Sequence, residues 1–545
     1  MRTESEYEEF EKKRAESSSK VLDSDSKKII VMAGPGTGKS YLFQQLAKKY
    51  RSNGKTNIIV LSFINELVKD LTVDMHGLAE VSTLHSFAAK QLRLTQSMYM
   101  RLRDVIEEDM ANNTGQRKDF GVILDEMIVS ETEAIEYMRL RRAYYERIDP
   151  SGSVFDLVNH YRAHPELIPS YDLVLVDEYQ DFNLLEVALV NELAKKSSIV
   201  IAGDDDQSLY SFKHSVPENI RAIHNGEDYE SFELPYCSRS TEVVLNAFHD
   251  VVNKAKSEGY LSKRIEKQYL YFPTAKKDTL SNLYPKISVR LNTQQAQCAF
   301  YIDKEIGEVF EKDPGFSVLV ICPLKSQISK VCQMLRKKGY KNVTGDQRSS
   351  EGNDVLLDGL STLVETPEAN IGWRQCAKAL LSANDFNDAL QRTSDNTTRF
   401  SDVLSPAFRS EVNKLRSICA KIKEGQTLTQ DQKTLIFDKL GIDIEKLGEE
   451  NARDKLFSRT SNKVQHEIKI KVTTILGSKG LSYDHVFLIN FDDRYICNGD
   501  LNDEKINMFL VALTRSKNKV NIYSSQARDP LLISWIGSNR KVYIH

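Results

Sequence analysis

The chain has 545 residues, enough for three or four domains, and its 41% hydrophobic and 28% charged residues are the balance of a globular protein with buried cores. A formal net charge of −3 excludes a globally basic protein, so any nucleic-acid partner needs a locally positive groove. The seven cysteines, Cys237, Cys298, Cys322, Cys332, Cys376, Cys419 and Cys497, contain no C-x-x-C pair, which points away from zinc and iron–sulfur sites and fits a reducing cytosol. Met1–Lys20 has no apolar stretch of the signal-peptide kind, and there is no run of about 18 apolar residues, so a cytoplasmic protein without a membrane span is expected.

The acidic start, Glu4–Glu11, reads as a solvated face. Ile29–Ala33 is the first buried strand, and Tyr41–Tyr50 has helical periodicity. Between them stands Ala33-Gly-Pro-Gly-Thr-Gly-Lys-Ser40, a glycine-rich loop in the strand–loop–helix setting of a Walker A motif. Gly34, Gly36, Thr37 and Gly38 let backbone N–H groups turn toward phosphates, and the helix start adds positive potential. Lys39 is placed to reach the β- and γ-phosphates of ATP, and Ser40 to hold Mg²⁺. Asn57–Ser62 is the next strand. Residues 89–167 have few strand signals and much helical periodicity, as in Met98–Glu108 and Ala134–Arg147.

Leu173–Asp177 is again an apolar strand, and it ends in adjacent carboxylates. Asp177 suits Mg²⁺ through an oxygen, and Glu178 suits the attacking water. Ile199–Gly203 follows. The basic stretch Lys263–Lys267 reads as a solvated face. A second set of short apolar runs, Ser317–Cys322, Ile468–Leu476, Val486–Asn490 and Lys519–Tyr523, is split by the polar, helix-rich residues 350–465, with breaks at Pro367, Gly372, Pro406, Gly425 and Gly441. Two α/β domains with parallel sheets are expected, each interrupted by a helical insertion. The expected division is 1–88 and 168–225 for the first domain, with 89–167 inserted, and 226–349 and 467–545 for the second, with 350–466 inserted.

Six elements fall in one order: Ala33–Ser40, Thr83-Leu-His85-Ser-Phe87, Val176–Asp181, Gly203-Asp-Asp-Asp-Gln207-Ser-Leu-Tyr210-Ser-Phe212-Lys213, Ser478-Lys-Gly480-Leu481 within Thr474–Leu481, and Val511-Ala-Leu-Thr514-Arg515. The chain resembles the UvrD/Rep family of superfamily 1 helicases from about Lys28 to Ser524. The resemblance implies two RecA-like P-loop domains that sandwich ATP, and movement along single-stranded DNA, usually 3′ to 5′. It implies that Gln207 senses the γ-phosphate, that Gly480 lies at the nucleotide, and that Arg515 is an arginine finger. The run Leu234-Pro-Tyr-Cys-Ser238-Arg239-Ser-Thr241 aligns with the family's fourth motif and makes Arg239 the second finger. A planar, always-charged fork suits that role.

The same resemblance assigns a nucleic-acid track to Phe63, Asn65, Thr83, His85, Tyr210, Phe212, Lys213 and Thr474. Phe212 replaces the family's usual Trp and Lys213 its Arg. Phosphate contacts and aromatic platforms give sequence-tolerant, salt-sensitive binding. The choice of DNA over RNA comes from the resemblance alone, and RNA stays open.

Several departures cluster at the base and sugar of the nucleotide. No Gln precedes the Walker loop, the first being Gln44; Ser238 stands where a stacking Tyr is usual, and Ser482 where a ribose-binding Glu is usual. Tyr236 is a candidate substitute ring. Altered base selectivity with retained hydrolysis is therefore expected. Leu476 and Gly477 replace a His-Ser pair on the strand side, the second insertion is short, and only 30 residues follow Arg515. Translocation is favoured over strong unwinding, in DNA repair or antiviral defence. The alternative is a nucleotide-switched subunit beside a separate nuclease, since no nuclease pattern follows the motor.

Overall fold

The structure is a computed structural model, and it describes residues 2–62, 65–93, 99–114, 119–120, 124, 132–209, 217–310, 315–345, 351–442, 444, 468–497 and 500–544. The strand β1 (Lys28–Ala33) is almost wholly buried. It is flanked by β5 (Ile199–Gly203), with Val31 opposite Ala202, and by β6 (Glu230–Leu234), with Val31 opposite Phe232. With β2 (Ile58–Ser62), β3 (Glu80–Thr83) and β4 (Leu173–Val176) they form a six-stranded parallel sheet in the order β3-β2-β4-β5-β1-β6. Strands β2, β4 and β5 are buried along their whole length, as parallel strands covered on both faces must be. Ile29 and Val31 pack with Leu42, Phe43 and Leu46 of the helix Lys39–Ser52, which fixes that helix against the sheet. The sheet runs past residue 225, where the sequence placed the first domain's end, because β6 pairs with β1.

A second parallel sheet has seven strands in the order β11-β12-β10-β13-β14-β9-β15. These are β9 (Ile287–Arg290), β10 (Val318–Cys322), β11 (Val343–Gly345), β12 (Ile470–Thr474), β13 (Tyr483–Leu488), β14 (Ser516–Tyr523) and β15 (Lys541–Tyr543). Central β10 pairs with β12 and β13, although about 150 residues separate them in the chain, so the intervening segment is an insertion into a continuous sheet. A small ladder joins β7 (Tyr236–Cys237) to β8 (Leu270–Tyr271).

The chain divides into two compact units. The first is Met1–Arg93, Val154–Asp346 and His466–His545, and it holds both large sheets. The second is Leu94–Ser153 with Gln347–Gln465, and its described residues form helices such as Leu102–Thr114, Glu351–Glu365, Asn370–Leu380 and Pro406–Lys423. Two distant chain segments thus fold as one helical body. Its core includes Leu360, Trp373, Cys376, Val412 and Leu415. Within it Arg374, fully buried, donates to Asp109 Oδ1 from Nε at 2.9 Å and from Nη2 at 2.6 Å, and to Glu108 Oε2 at 2.8 Å. Gln375 donates to the Tyr99 hydroxyl at 2.9 Å, and Tyr145 donates to Asp109.

Candidate nucleotide site

The Walker loop sits at the C-terminal end of β1, where open parallel sheets place ligands. Gly36 (φ +74°) and Gly38 (φ +99°) take the left-handed backbone that turns their amides inward. Gly38 caps the helix without a side-chain bond, so the orphan N–H groups of the first turn stay free for an anion. Thr37 spends its hydroxyl on the loop, donating to Gly34 O at 2.9 Å.

Lys39 Nζ lies 3.1 Å from Glu178 Oε1 and 3.3 Å from Ala33 O. Burial alone would depress this ammonium, but Glu178, Asp177 and Asp204 hold it above its ordinary range. Burial likewise favours a neutral Glu178, yet Lys39 and Lys479 keep the carboxylate ionised, well below the usual range. Glu178 also has φ +53°, a strained backbone for a side chain of its size, which turns the carboxylate off the strand line. Asp177 is pushed the other way, upward, by burial and by Glu178 beside it. Its Oδ1 is buried with no hydrogen-bond partner among the described residues, a hard oxygen left over for a hard cation. Half-buried Ser40 stands at the start of the same helix as Lys39.

The strand ends from both sheets meet over this loop. Gln207 donates from Nε2 to Asp204 Oδ2 at 2.9 Å, and its Oε1 accepts from Arg515 Nη2 at 3.2 Å. Arg515 is 1% exposed and donates further to Val511 O (3.0 Å), Leu481 O (3.3 Å) and Thr514 Oγ1 (3.3 Å). All of these acceptors are uncharged. Burial and the nearby Arg239 push the Arg515 guanidinium down to about 9, against a smaller upward pull from Glu178, Tyr269 and Asp204. Arg239 lies across Gly36: a Cβ at Gly36 would fall 2.3 Å from Arg239 Cβ and 3.2 Å from its Nε. Ser238 donates to Gly36 O from N at 3.0 Å and from Oγ at 3.2 Å.

Comparison with known proteins follows the same lines. A sequence model of the AAA domain matches residues 18–213, and one of the UvrD-like helicase C-terminal domain matches residues 368–527. A probable DNA helicase II homologue of Rickettsia felis is 25% identical over 285 residues, 42% of this chain and 43% of that protein. DNA helicase II of Rickettsia typhi is 25% identical over 44% of this chain and 45% of its own. The ATP-dependent DNA helicase PcrA of Staphylococcus aureus is 25% identical over 41% of this chain and 38% of its own. The chain belongs to the UvrD/Rep-like family of superfamily 1 helicases. The match spans less than half the length of these curated relatives.

Within this UvrD/Rep-like chain the two parallel sheets are the RecA-like layers. Lys39, Asp177, Glu178, Gln207, Arg239 and Arg515 come together around the Walker loop, and Gly480 (φ +79°) follows Lys479 in the turn after β12. The expected nucleic-acid track lies partly outside the described residues. Phe63, Tyr210, Phe212 and Lys213 lie outside the described residues, as does the side chain of Asn65, which opens the helix Asn65–Asp74. Thr83 is 6% exposed, and its hydroxyl caps the helix Leu84–Gln91 by accepting from Ser86 N at 3.1 Å. His85 faces Glu186 at 3.7 Å. Thr474 Oγ1 accepts from Gly477 N at 3.1 Å. Each of these three therefore has local structural work as well.

Two expectations are corrected. The stretch Lys263–Lys267 is not uniformly solvated: Lys263 is exposed, but the side chains of Arg264 and Lys267 are each 5% exposed and ion-paired within Asp204–Asp206. Three buried carboxylates draw two cations in, and charge runs carry no sign of that. Tyr236, the candidate stacking ring, is half-buried in edge contact with Phe10 (6.5 Å) and Phe272 (6.2 Å). The ring on the loop is instead Tyr269, whose hydroxyl donates to Pro35 O at 2.7 Å and whose ring carbons lie 3.0 Å from a Cβ built at Gly34. Lys479 was also missed: it donates to Asp181 Oδ1 at 2.6 Å and to Gln207 O. Its place inside Ser478-Lys-Gly-Leu was the available signal. The acidic start is a solvated helix face, as read, within Glu4–Asp23.

Proposed function

We propose that the chain is an ATP-driven motor that moves 3′ to 5′ along single-stranded DNA and hydrolyses ATP between its two RecA-like layers. One observation carries this reading: a buried arginine of the second layer, Arg515, with no carboxylate paired to it among the described residues, contacts Gln207 of the first layer beside the Walker lysine. Such an arginine is matched to a transferring phosphoryl group, whose charge it can neutralise.

In this account Gly34, Gly36, Thr37, Gly38 and the first helical turn hold the phosphates, with Gly480 at the edge of the nucleotide. Ser40 and the unpartnered Asp177 oxygen would hold Mg²⁺, which supplies counter-charge to the β- and γ-phosphates when bound. Lys39 is parked on Glu178 at 3.1 Å. Phosphates draw Lys39 away and leave Glu178, still ionised beside Lys479, to orient the attacking water. Arg239 and Arg515 close on the γ-phosphate, and Gln207 reports its presence.

The strand would run over the track residues Phe63, Asn65, Thr83, His85, Tyr210, Phe212, Lys213 and Thr474. Stacking and phosphate contacts make such a track tolerant of sequence. No helix among the described residues is long and apolar enough to cross a membrane.

The test is ATP hydrolysis with and without single-stranded DNA, with Lys39→Ala as the blank. Strong stimulation that Lys39→Ala abolishes is the expected result. Hydrolysis that ignores the strand would overturn the motor and favour the other reading, a nucleotide-switched subunit beside a separate nuclease.

A further inference from the structure

Asp204, Asp205 and Asp206 are almost completely buried, and one carboxylate oxygen of each lies within 4.8 Å of the others. Three like charges so close would repel and invite a cation. The cation is already there. Lys267 Nζ lies 2.7 Å from Asp204 Oδ1 and 3.1 Å from Asp206 Oδ2, and it also pairs with Asp205. Arg264 grips Asp206 with both teeth of its fork, Nε to Oδ1 at 2.7 Å and Nη2 to Oδ2 at 2.8 Å. Arg221 Nε donates to Asp205 Oδ2 at 3.1 Å. Three carboxylates thus meet three cations, and the centre that a metal would need holds the Lys267 ammonium.

The cluster also joins the two layers. Asp204–Asp206 follow β5 of the first sheet. Arg264 and Lys267 lie between Leu261 and Tyr269, which pack in the core of the second sheet with Val486 and Leu488. The Ile265 amide donates to Asp205 Oδ2 at 2.9 Å, and Asn507, on the helix Asp503–Leu513 that leads to Arg515, donates to Asp205 O at 3.3 Å.

From this cluster a short chain of contacts reaches the nucleotide site. Lys267 holds Asp204 by Oδ1. The other oxygen, Oδ2, accepts from Gln207 Nε2, which fixes the amide so that Oε1 faces Arg515. We infer that Lys267, supported by Arg264, is a positioning residue that orients Gln207 and ties its reading of the γ-phosphate to the second layer. Without Lys267, Asp204 loses its paired cation and keeps only the Asp206 N–H on Oδ1, at 3.2 Å, so the amide of Gln207 is held less firmly and the layers can close over a nucleotide without Gln207 in register.

This inference rests on the ATPase reading above, and the test separates the two. Wild type, Lys267→Met and Lys267→Arg are compared for kcat and KM of strand-stimulated ATP hydrolysis, for binding of a fluorescent ADP (N-methylanthraniloyl-ADP), and for melting temperature. ADP has no γ-phosphate, so its binding does not need Gln207. Lys267→Met should keep ADP binding and the KM for ATP within about threefold while kcat falls about ten- to a hundredfold, the scale of a misplaced catalytic group. Lys267→Arg, which keeps the charge, should recover most of kcat. Equal loss of ADP binding and turnover in both variants would mark a structural ion pair and overturn the inference, as would an unchanged kcat in Lys267→Met. Should Lys267→Met not yield folded protein, Asp206→Asn, which removes one charge at constant size, is read by the same criteria. A wild type that fails to hydrolyse ATP would instead sink the ATPase reading itself.

Discussion

Replacing Arg515 with methionine separates a catalytic arginine from a structural one. The guanidinium is buried and sits against uncharged oxygens only, with Arg239 nearby. Its fall from the ordinary guanidinium range to about 9 corresponds to a penalty on the charge of about 5 kcal/mol in the nucleotide-free protein. Against that, the Arg515→Met substitution would leave Gln207 Oε1 and Leu481 O short of a donor, at about 1–3 kcal/mol each. The two effects nearly cancel, and the net change should stay within about 2 kcal/mol, or roughly 2 °C in melting temperature for a protein of this size. Hydrolysis is another matter, since an arginine finger contributes about 10³-fold or more to kcat. Thermal melting without nucleotide, together with strand-stimulated turnover, reads both quantities. A melting point lowered by more than about 8 °C with turnover within tenfold of wild type would refute the reasoning.

Three other outcomes are expected. ATP, GTP and CTP should be turned over at comparable rates, because Ser238 is spent on Gly36 O and Tyr236 on Phe10 and Phe272; strict preference for ATP would contradict this. Lys277 is half-buried, and burial with Lys517 and Arg239 nearby pushes its ammonium down to about 8. A cation with a lowered folded pKa penalises the fold fully below pH 8, and the penalty fades as pH rises toward the unfolded value of 10.5. Lys277→Met should therefore stabilise the nucleotide-free protein at pH 7 by about 1–2 kcal/mol after allowance for solvent screening, with the gain gone near pH 10.5; a gain that does not vary with pH would point to packing instead. In the helical unit, Arg374→Ala should cost about 3–5 kcal/mol by stranding buried Asp109, whereas Lys378→Ala, on half-exposed Glu108, should cost about 1 kcal/mol or less. Hydrogen exchange over Asn370–Leu380 reads both, and equal protection in the two variants would contradict the ranking.

The phosphate machinery was legible because its chemistry is local. Ala33–Ser40 needs glycines where the backbone turns left-handed, and Asp177–Glu178 needs a strand to carry them, and both features are written in consecutive residues. The long apolar strands were legible for the same reason. Strands β3, β9, β11 and β15 were not, being short and partly polar, with β3, β11 and β15 at or near sheet edges where alternation is weak. The links between layers were hidden more deeply. Lys267, Tyr269 and Lys479 matter through partners some 60 to 300 residues away, and a basic residue drawn into a buried carboxylate cluster looks, in sequence, like any solvated lysine. Thr83 shows the opposite limit, since a hydroxyl assigned to a strand contact also has a helix to cap.

The central claim is directed movement, and displacement of streptavidin from biotinylated single strands tests it most directly. A 3′-to-5′ motor should strip streptavidin from a 5′-biotin in an ATP-dependent way and much more slowly from a 3′-biotin, and Lys39→Ala should strip neither. Equal displacement from both ends, or none from either while ATP is being hydrolysed, would contradict the account.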